Sequence, residues 1–269
     1  HEFPGAGTYT VSMEDPMRNE NIQNIPNSGN VPFYIESKIT IDVNSGGNSA
    51  PTLSNPPVDN ACLGLPFEHN PGAIDSDGDS LVYSIVASRS YDGQNIGGYV
   101  LPNMIDPGPN NNLTINPITG TLTWDSPQQL GEYNVAILIE EYRKNLNSGA
   151  VFKVGEVMRD IQIDVGICQN NTPPIIETLT KVCVTAGETY VDTITAFDNE
   201  SDPLLFTASG YPLESGNNGF ISLDTFDSVQ NNYQMVFEWP TTCKFVRLPG
   251  EWMYFKAKED KPNNSGMVD

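Results

Sequence analysis

The chain repeats itself with a period of about 120 residues, and that self-similarity constrains the fold more than any local propensity. Gly131-Glu132-Tyr133-Asn134-Val135 leads through alternating apolar positions to Glu140-Glu141. Gly250-Glu251-Trp252-Met253-Tyr254 leads with the same spacing to Glu259-Asp260. A third copy, Gly7-Thr8-Tyr9-Thr10-Val11, reaches Glu14-Asp15 two residues sooner. Upstream in the unit, the stretch from Ala73 to Tyr83 parallels that from Ala196 to Phe206. Ile41-Asp42-Val43 recurs as Ile163-Asp164-Val165, and Cys62 occupies the place of Cys183. Residues 1–43 therefore read as the last strands of a truncated repeat and 44–165 as one complete repeat. Residues 166–269 read as a further repeat without its final strand, since nothing after Asp260 matches 161–165. Residues 1–11 resemble a loop entering a strand, so the chain is expected to be a piece of something longer.

Within the complete repeat the pattern is all-β. Segments 81–86, 113–115, 121–124, 133–139, 151–157 and 161–165 alternate or run apolar between turn residues, and none has a convincing 3.6-residue period. Several short strands in about 120 residues predict an antiparallel β-sandwich. Trp124 and Trp239 stand at matching places and are expected in the two cores.

Charge narrows the function. The chain has 34 acidic and 13 basic residues, a formal net charge of −21, which argues against nucleic acid and against anionic membranes. No run of about 18 apolar residues is present, so no membrane insertion is expected. The natural counter-charge is a cation bound through oxygen, although a high charge also serves solubility alone. Four cysteines, Cys62, Cys168, Cys183 and Cys243, form no CxxC pair, and the two histidines, His1 and His69, stand apart. Zinc-type spacing is absent, and an even count fits two disulfides in an oxidising compartment. Bridging within repeats pairs Cys62 with Cys168 and Cys183 with Cys243; a Cys168–Cys183 contact near the boundary is the alternative.

The chemistry lies in the acidic clusters. In a sandwich, the turn after the second strand and the turn after the penultimate strand emerge at one end. That geometry gathers Asp75, Asp77 and Asp79 with Glu140 and Glu141, beside the incoming segment 44–51 with Asn48. In the next repeat it gathers Asp198, Glu200 and Asp202 with Glu259 and Asp260, beside segment 168–174 with Asn171. Like charges so close repel unless neutralised, and calcium takes six to eight oxygens. An EF-hand is excluded, because no Glu stands at the twelfth loop position and strands flank the turn. The competing reading is a set of solvated turns, for which Asp, Asn and Gly are suited.

These residues resemble the cadherin-like repeats, in the A-x-D-x-D turn of Ala73-Ile74-Asp75-Ser76-Asp77, the strand Leu81-Val82-Tyr83-Ser84-Ile85, the Thr119-Gly120-Thr121-Leu122 strand and the Asn171-Thr172-Pro173-Pro174 linker. The resemblance implies tandem immunoglobulin/cadherin-like β-sandwiches in an extended array, with Ca2+ between successive domains. Two departures imply fewer or weaker ions: Leu122-Thr123-Trp124-Asp125 replaces the family's acidic strand motif, and the linker's aspartates are largely Asn. The phrases around Cys62-Leu63-Gly64-Leu65-Pro66-Phe67, Asn70-Pro71-Gly72-Ala73 and Glu238-Trp239-Pro240-Thr241-Thr242-Cys243 are similar to those of Bacteroidota gliding-motility-associated, type IX-secreted surface adhesins. That resemblance implies display on the cell surface and a role in adhesion or gliding. Its implied partners are neighbouring repeats of the same long chain, surface polysaccharide or other cell-surface proteins. Asp79-Ser80-Leu81, Asp192-Thr193-Ile194 and Asp227-Ser228-Val229 resemble those bacteria's short O-glycosylation signal, a pattern ordinary turns also produce.

No GxSxG, HExxH, P-loop or GxGxxG occurs, no repeat holds a Ser–His–Asp set, and His69 beside a Pro-Gly turn reads as a surface residue. The expectation is a non-enzymatic, calcium-stiffened structural or adhesive array. Three alternatives stay open: a carbohydrate-binding module using Tyr91, Tyr99 and the loop 91–112, spacer domains of a secreted enzyme, or a filament subunit.

Overall fold

The computed structural model describes residues 3–42, 46–145, 148–168, 171–228, 232–247 and 250–260, and these are overwhelmingly β. Two compact units divide at His1–Ile167 and Cys168–Asp269. No helix among the described residues is long and apolar enough to cross a membrane.

In the first unit the strands are β1 (Gly7–Asp15), β2 (Phe33–Ile41), β3 (Thr52–Leu53), β4 (Val58–Cys62), β5 (Phe67–His69), β6 (Ala73–Ile74), β7 (Ser80–Val86), β8 (Leu113–Ile115), β9 (Leu122–Trp124), β10 (Gly131–Lys144) and β11 (Val151–Gly166). One sheet runs β1-β2-β11-β10-β7, with β4 alongside β11 in parallel; a second runs β5-β9-β8, and β3 pairs with β6. The core forms where strand parity dictates. Tyr133, Val135, Ile137 and Ile139 of β10 and Ile161, Ile163 and Val165 of β11 point to one face and pack with Tyr83, Leu122 and Trp124. Trp124 is 1% exposed, meets Tyr133 edge-on at 5.1 Å and donates its indole N–H to Asn111 Oδ1 at 2.6 Å. Burial of each such side chain is worth roughly 1.5–3 kcal/mol.

Residues 1–43 fall inside this first unit. β2 pairs with β11 through Ile39↔Gly155, Lys38↔Glu156 and Ser37↔Val157. The connection between β1 and β2 then crosses the outer face of β10 and β11. Asn24 donates to the Asn134 carbonyl at 2.7 Å, and the Asn134 amide donates back to Asn24 Oδ1 at 2.9 Å. Arg18 forks onto Asp160 at 2.8 and 3.2 Å, both side chains being at most 4% exposed. Ile22, Ile25 and Ile96 form a small apolar cluster of their own. This cover explains why Asn134 and Ala136, on the outward face of β10, are buried.

The second unit contains β12 (Ile175–Glu177), β13 (Thr189–Phe197), β14 (Leu204–Gly210), β15 (Phe220–Asp227), β16 (Asn232–Pro240) and β17 (Met253–Glu259). Its four-stranded sheet is ordered β12-β13-β16-β15, and β14 pairs with β17. Ile194, Ala196, Leu204, Phe206, Met235 and Phe237 form the core, with Trp239 packed against it half-buried. β17 pairs with β14 as β10 pairs with β7; among the described residues no strand takes the place beside β17 that β11 takes beside β10.

Cys62 and Cys168 are joined in a disulfide. The parallel register of β4 on β11 brings Cys62 opposite Gly166, two residues before its partner. Cys183 and Cys243, expected to form the second bridge, are free and exposed. The β13–β16 ladder continues to Gly187 and Thr241, but the chain then turns into a 3₁₀ segment, Cys243–Phe245, that seats Phe245 on Trp239 at 5.5 Å. That turn takes Cys243 out of the ladder. His69 also departs from expectation: it is 3% exposed, and its Nδ1 lies 3.0 Å from Asp59 Oδ2.

Candidate metal centres

The first acidic cluster is built by the turn between β6 and β7 and by the end of β10. Asp75 follows Ile74 and Asp79 precedes Ser80, so a five-residue turn presents both carboxylates to one point. Gly78 sits at φ +83°, where a side chain would be strained. Asp75 Oδ1 accepts the Asp79 amide at 2.8 Å, which locks the turn. Glu141 extends the buried parity of β10 by one step, after Ile139, and is 0% exposed. Opposite it stands Gly155. A Cβ there would lie 2.6 Å from Glu141 Oε1, so glycine makes the space the carboxylate fills. Carboxylate oxygens of Asp75, Asp79 and Glu141 lie within 4.8 Å of one another.

Electrostatics in this pocket are unfavourable to three anions. Burial, with the neighbouring charges of Asp75, Asp79 and Asp77, pushes Glu141 up to about 7, against a hydrogen bond from Asn48 that pulls it down. Burial chiefly, with Asp79 and Asp77, also raises Asp75. Asn48 Nδ2 donates to Glu141 Oε2 at 2.6 Å, while Glu141 Oε1 is buried with no hydrogen-bond partner among the described residues. The Ser49 amide donates to Asp77 Oδ2 at 2.5 Å, which places Asp77 on the rim beside the incoming chain.

The second cluster repeats the main bonds of this scheme. Asp198 follows β13, Asp202 stands just before β14 and Glu259 ends β17. Asp198 Oδ1 accepts the Asp202 amide at 2.9 Å. Asn171 Nδ2 donates to Glu259 Oε1 at 2.7 Å, and the Thr172 amide donates to Glu200 Oε2 at 3.1 Å. Ser201, in the place of Gly78, also has positive φ, +66°. Asp198 and Glu259 are buried, Asp198 Oδ2 has no hydrogen-bond partner among the described residues, and the three carboxylates again lie within 4.8 Å.

Of the residues expected from the sequence, the structure brings together Asp75, Asp79 and Glu141 with Asn48, and Asp198, Asp202 and Glu259 with Asn171. Asp77 and Glu200 hold rim positions. Glu140 and Asp260 do not join. Glu140 points to the opposite face of β10, where it pairs with Lys153. Asp260 is exposed and engages Pro203 through its amide at 2.7 Å. The structural equivalent of Glu259 is therefore Glu141, one residue away from the sequence match. One participant had no sequence signal: Arg143 reaches Asp79 through Nε at 2.8 Å and Nη2 at 2.6 Å.

With no His or Cys, these oxygen sets suit a hard cation. The loop 91–112, the other candidate, lies against the sandwich instead of standing open. Tyr99 donates to the Asn134 carbonyl at 3.2 Å and is pushed up to about 12 by burial. Ile96 is buried and Asn111 holds Trp124, while Tyr91 remains exposed. The sequence matches no protein-family model and no curated protein.

Proposed function

We propose that the chain is a non-enzymatic structural or adhesive repeat region of a secreted cell-surface protein, stiffened by calcium at its two acidic clusters and by the Cys62–Cys168 bridge. The observation that carries this reading is the duplicated cluster: two sets of three close, largely buried carboxylates with one hydrogen-bond scheme, about 120 residues apart. A solvated turn has no need to bury three anions, and burial without a cation is costly. Asp75, Asp79 and Glu141 would hold the first ion and Asp198, Asp202 and Glu259 the second, with Asp77 and Glu200 at the rims. A bound Ca2+ supplies the charge each cluster lacks and ties the strand ends to the incoming segment, through Asn48 in one unit and Asn171 in the other. The disulfide suits an oxidising, extracellular setting. Adhesion or surface gliding is the role we assign to the parent protein, with polysaccharide or other surface proteins as partners. The anchored loop 91–112 favours the spacer role over a carbohydrate site.

The test is a thermal melt of the whole chain at low salt, in millimolar calcium and then in excess chelator. A ligand that binds the folded state at 100 times its Kd stabilises by about 2.7 kcal/mol, a rise of several degrees. Identical melts, together with unchanged proteolysis across residues 168–174, would refute the calcium reading.

A further inference from the structure

Arg143 occupies the first cluster in a way the calcium reading alone leaves unused. It lies two residues beyond Glu141 on β10, on the same face. Nε and Nη2 hold the two oxygens of Asp79 at 2.8 and 2.6 Å. Nη2 also donates to Asn48 Oδ1 at 2.7 Å, and Nη1 donates to the Gly47 carbonyl at 2.9 Å. Asp77 Oδ2 is 3.8 Å away. These acceptors include the Asp79 carboxylate, a side-chain amide oxygen and a backbone carbonyl, which is the ligand chemistry calcium uses. The planar fork fixes Asp79 bidentately, a grip stronger and more directional than a lysine would give. Its side chain is 17% exposed, so the guanidinium has a path to water.

We propose that Arg143 is a tethered competitor cation: a divalent ion fills the first cluster by displacing the guanidinium from Asp79. The inference rests on the reading of the clusters as cation sites and adds the regulation of one of them. Among the described residues, the carboxylates Asp75, Asp77, Asp79 and Glu141 gather where Arg143 brings a positive charge. The arginine pairs with Asp79 at 2.6 Å and lies 3.8 Å from Asp77. Displacement has a second consequence. Arg143 also holds Gly47 and Asn48, so its release frees the segment that leads into the sandwich, and ion binding at this cluster is coupled to the hold on that segment. The occupied, arginine-closed state lowers apparent affinity by the fraction of molecules in it.

The experiment is calorimetric titration of the whole chain with calcium chloride in an Asp198→Asn background, which silences the second cluster. Adding Arg143→Gln is expected to tighten binding at the first cluster on the order of tenfold or more, since a competing charge and a closed state are both removed. Arg143→Lys keeps the charge without the fork and is expected to give an intermediate gain; it carries the comparison if the glutamine variant does not fold. Unchanged or weaker binding in these variants overturns the proposal and makes Arg143 a residue that orients Asp79. If the unsubstituted chain binds calcium at the second cluster while the Arg143 variants show no gain, the competitor alone falls. If no calcium binds anywhere, the cation reading falls and the competitor with it.

Discussion

Glu141→Gln separates a metal ligand from a structural carboxylate, because the two roles predict opposite signs. The Glu141 carboxyl is 0% exposed and pushed from 4.5 to about 7, first by burial and then by Asp75, Asp79 and Asp77. A folded value above the unfolded one means that the cost of ionising it in place is absent in acid. That cost grows as pH rises from about 4.5 to 7 and is fully present at pH 8. The displacement corresponds to about 3 kcal/mol at pH 8 in the metal-free protein. Glutamine is isosteric, retains an oxygen for the Asn48 amide, and carries no charge to set against Asp75 and Asp79. In chelator the variant should therefore be more stable than the parent, by up to about 3 kcal/mol. For a unit of this size that is on the order of 5–10 °C in Tm.

Calcium should reverse the order. The parent gains from binding while the variant, one carboxylate short, gains little at this cluster. Scanning calorimetry of the whole chain at pH 8, with and without calcium, reads both arms. If Glu141→Gln loses stability equally in chelator and in calcium, the carboxylate serves as an ordinary hydrogen-bonding group and the reasoning fails. A calcium shift as large as the parent's in the first unit's transition would remove Glu141 from the ligand set.

The remaining predictions concern the frame around the clusters. Gly155→Ala places a methyl 2.6 Å from Glu141 Oε1, so calcium affinity at the first cluster should fall while the second is unchanged, as titration of each cluster would show. Arg18→Ala leaves Asp160 buried without its counter-charge, held by Asn134 alone among the described residues, and denaturant unfolding of the first unit should show a loss of about 3–5 kcal/mol; a loss under 1 kcal/mol would mean that this ion pair does not hold the segment down. Thiol titration of the native, unreduced chain should count two reactive cysteines, Cys183 and Cys243, and Cys62→Ser with Cys168→Ser should lower stability by about 4 kcal/mol. Glu36, a buried carboxylate ringed by Lys38, Tyr34 and Arg89, titrates in the opposite sense to Glu141. Burial would raise it, but Lys38, Tyr34 and Arg89 together hold it below 4.5. Its contribution is present above the ordinary carboxylate range and lost as pH falls through its folded value, so Glu36→Gln should flatten the acid limb of a stability–pH curve below about pH 4.5.

What the sequence made legible follows from local periodicity. Strand alternation locates the core of both units, and the spacing of Asp75 with Asp79, repeated by Asp198 and Asp202, points to the turns that carry the clusters. The place of Glu140 outside the cluster is legible from the same periodicity. Tyr133, Val135, Ile137 and Ile139 set an odd-numbered buried face, and Met253, Phe255 and Ala257 set the corresponding face of β17. Parity alone then selects Glu141 and Glu259. Matching the strands by their Gly-Glu starts carries a one-residue offset that flips the face. Other features have no periodic trace. Arg18 finds Asp160 and Asn24 finds Asn134 across more than 100 residues, so the docking of 1–43 could not be read from either segment.

The same limit explains Arg143. From the sequence it is one more charge near the end of a strand, in a chain poor in cations. Its significance arises because the parity that buries Glu141 also places Arg143 two steps on, where β10 reaches the rim of the sandwich. There the partner strand β11 carries an extra residue between those opposite Glu141 and Tyr142, and the register shifts. A carboxylate pointing into the sandwich and a guanidinium at its mouth are thus products of one strand. Any substitution that moves the irregularity changes both together, which ties the first cluster's ligand set and its competing cation to a single backbone feature.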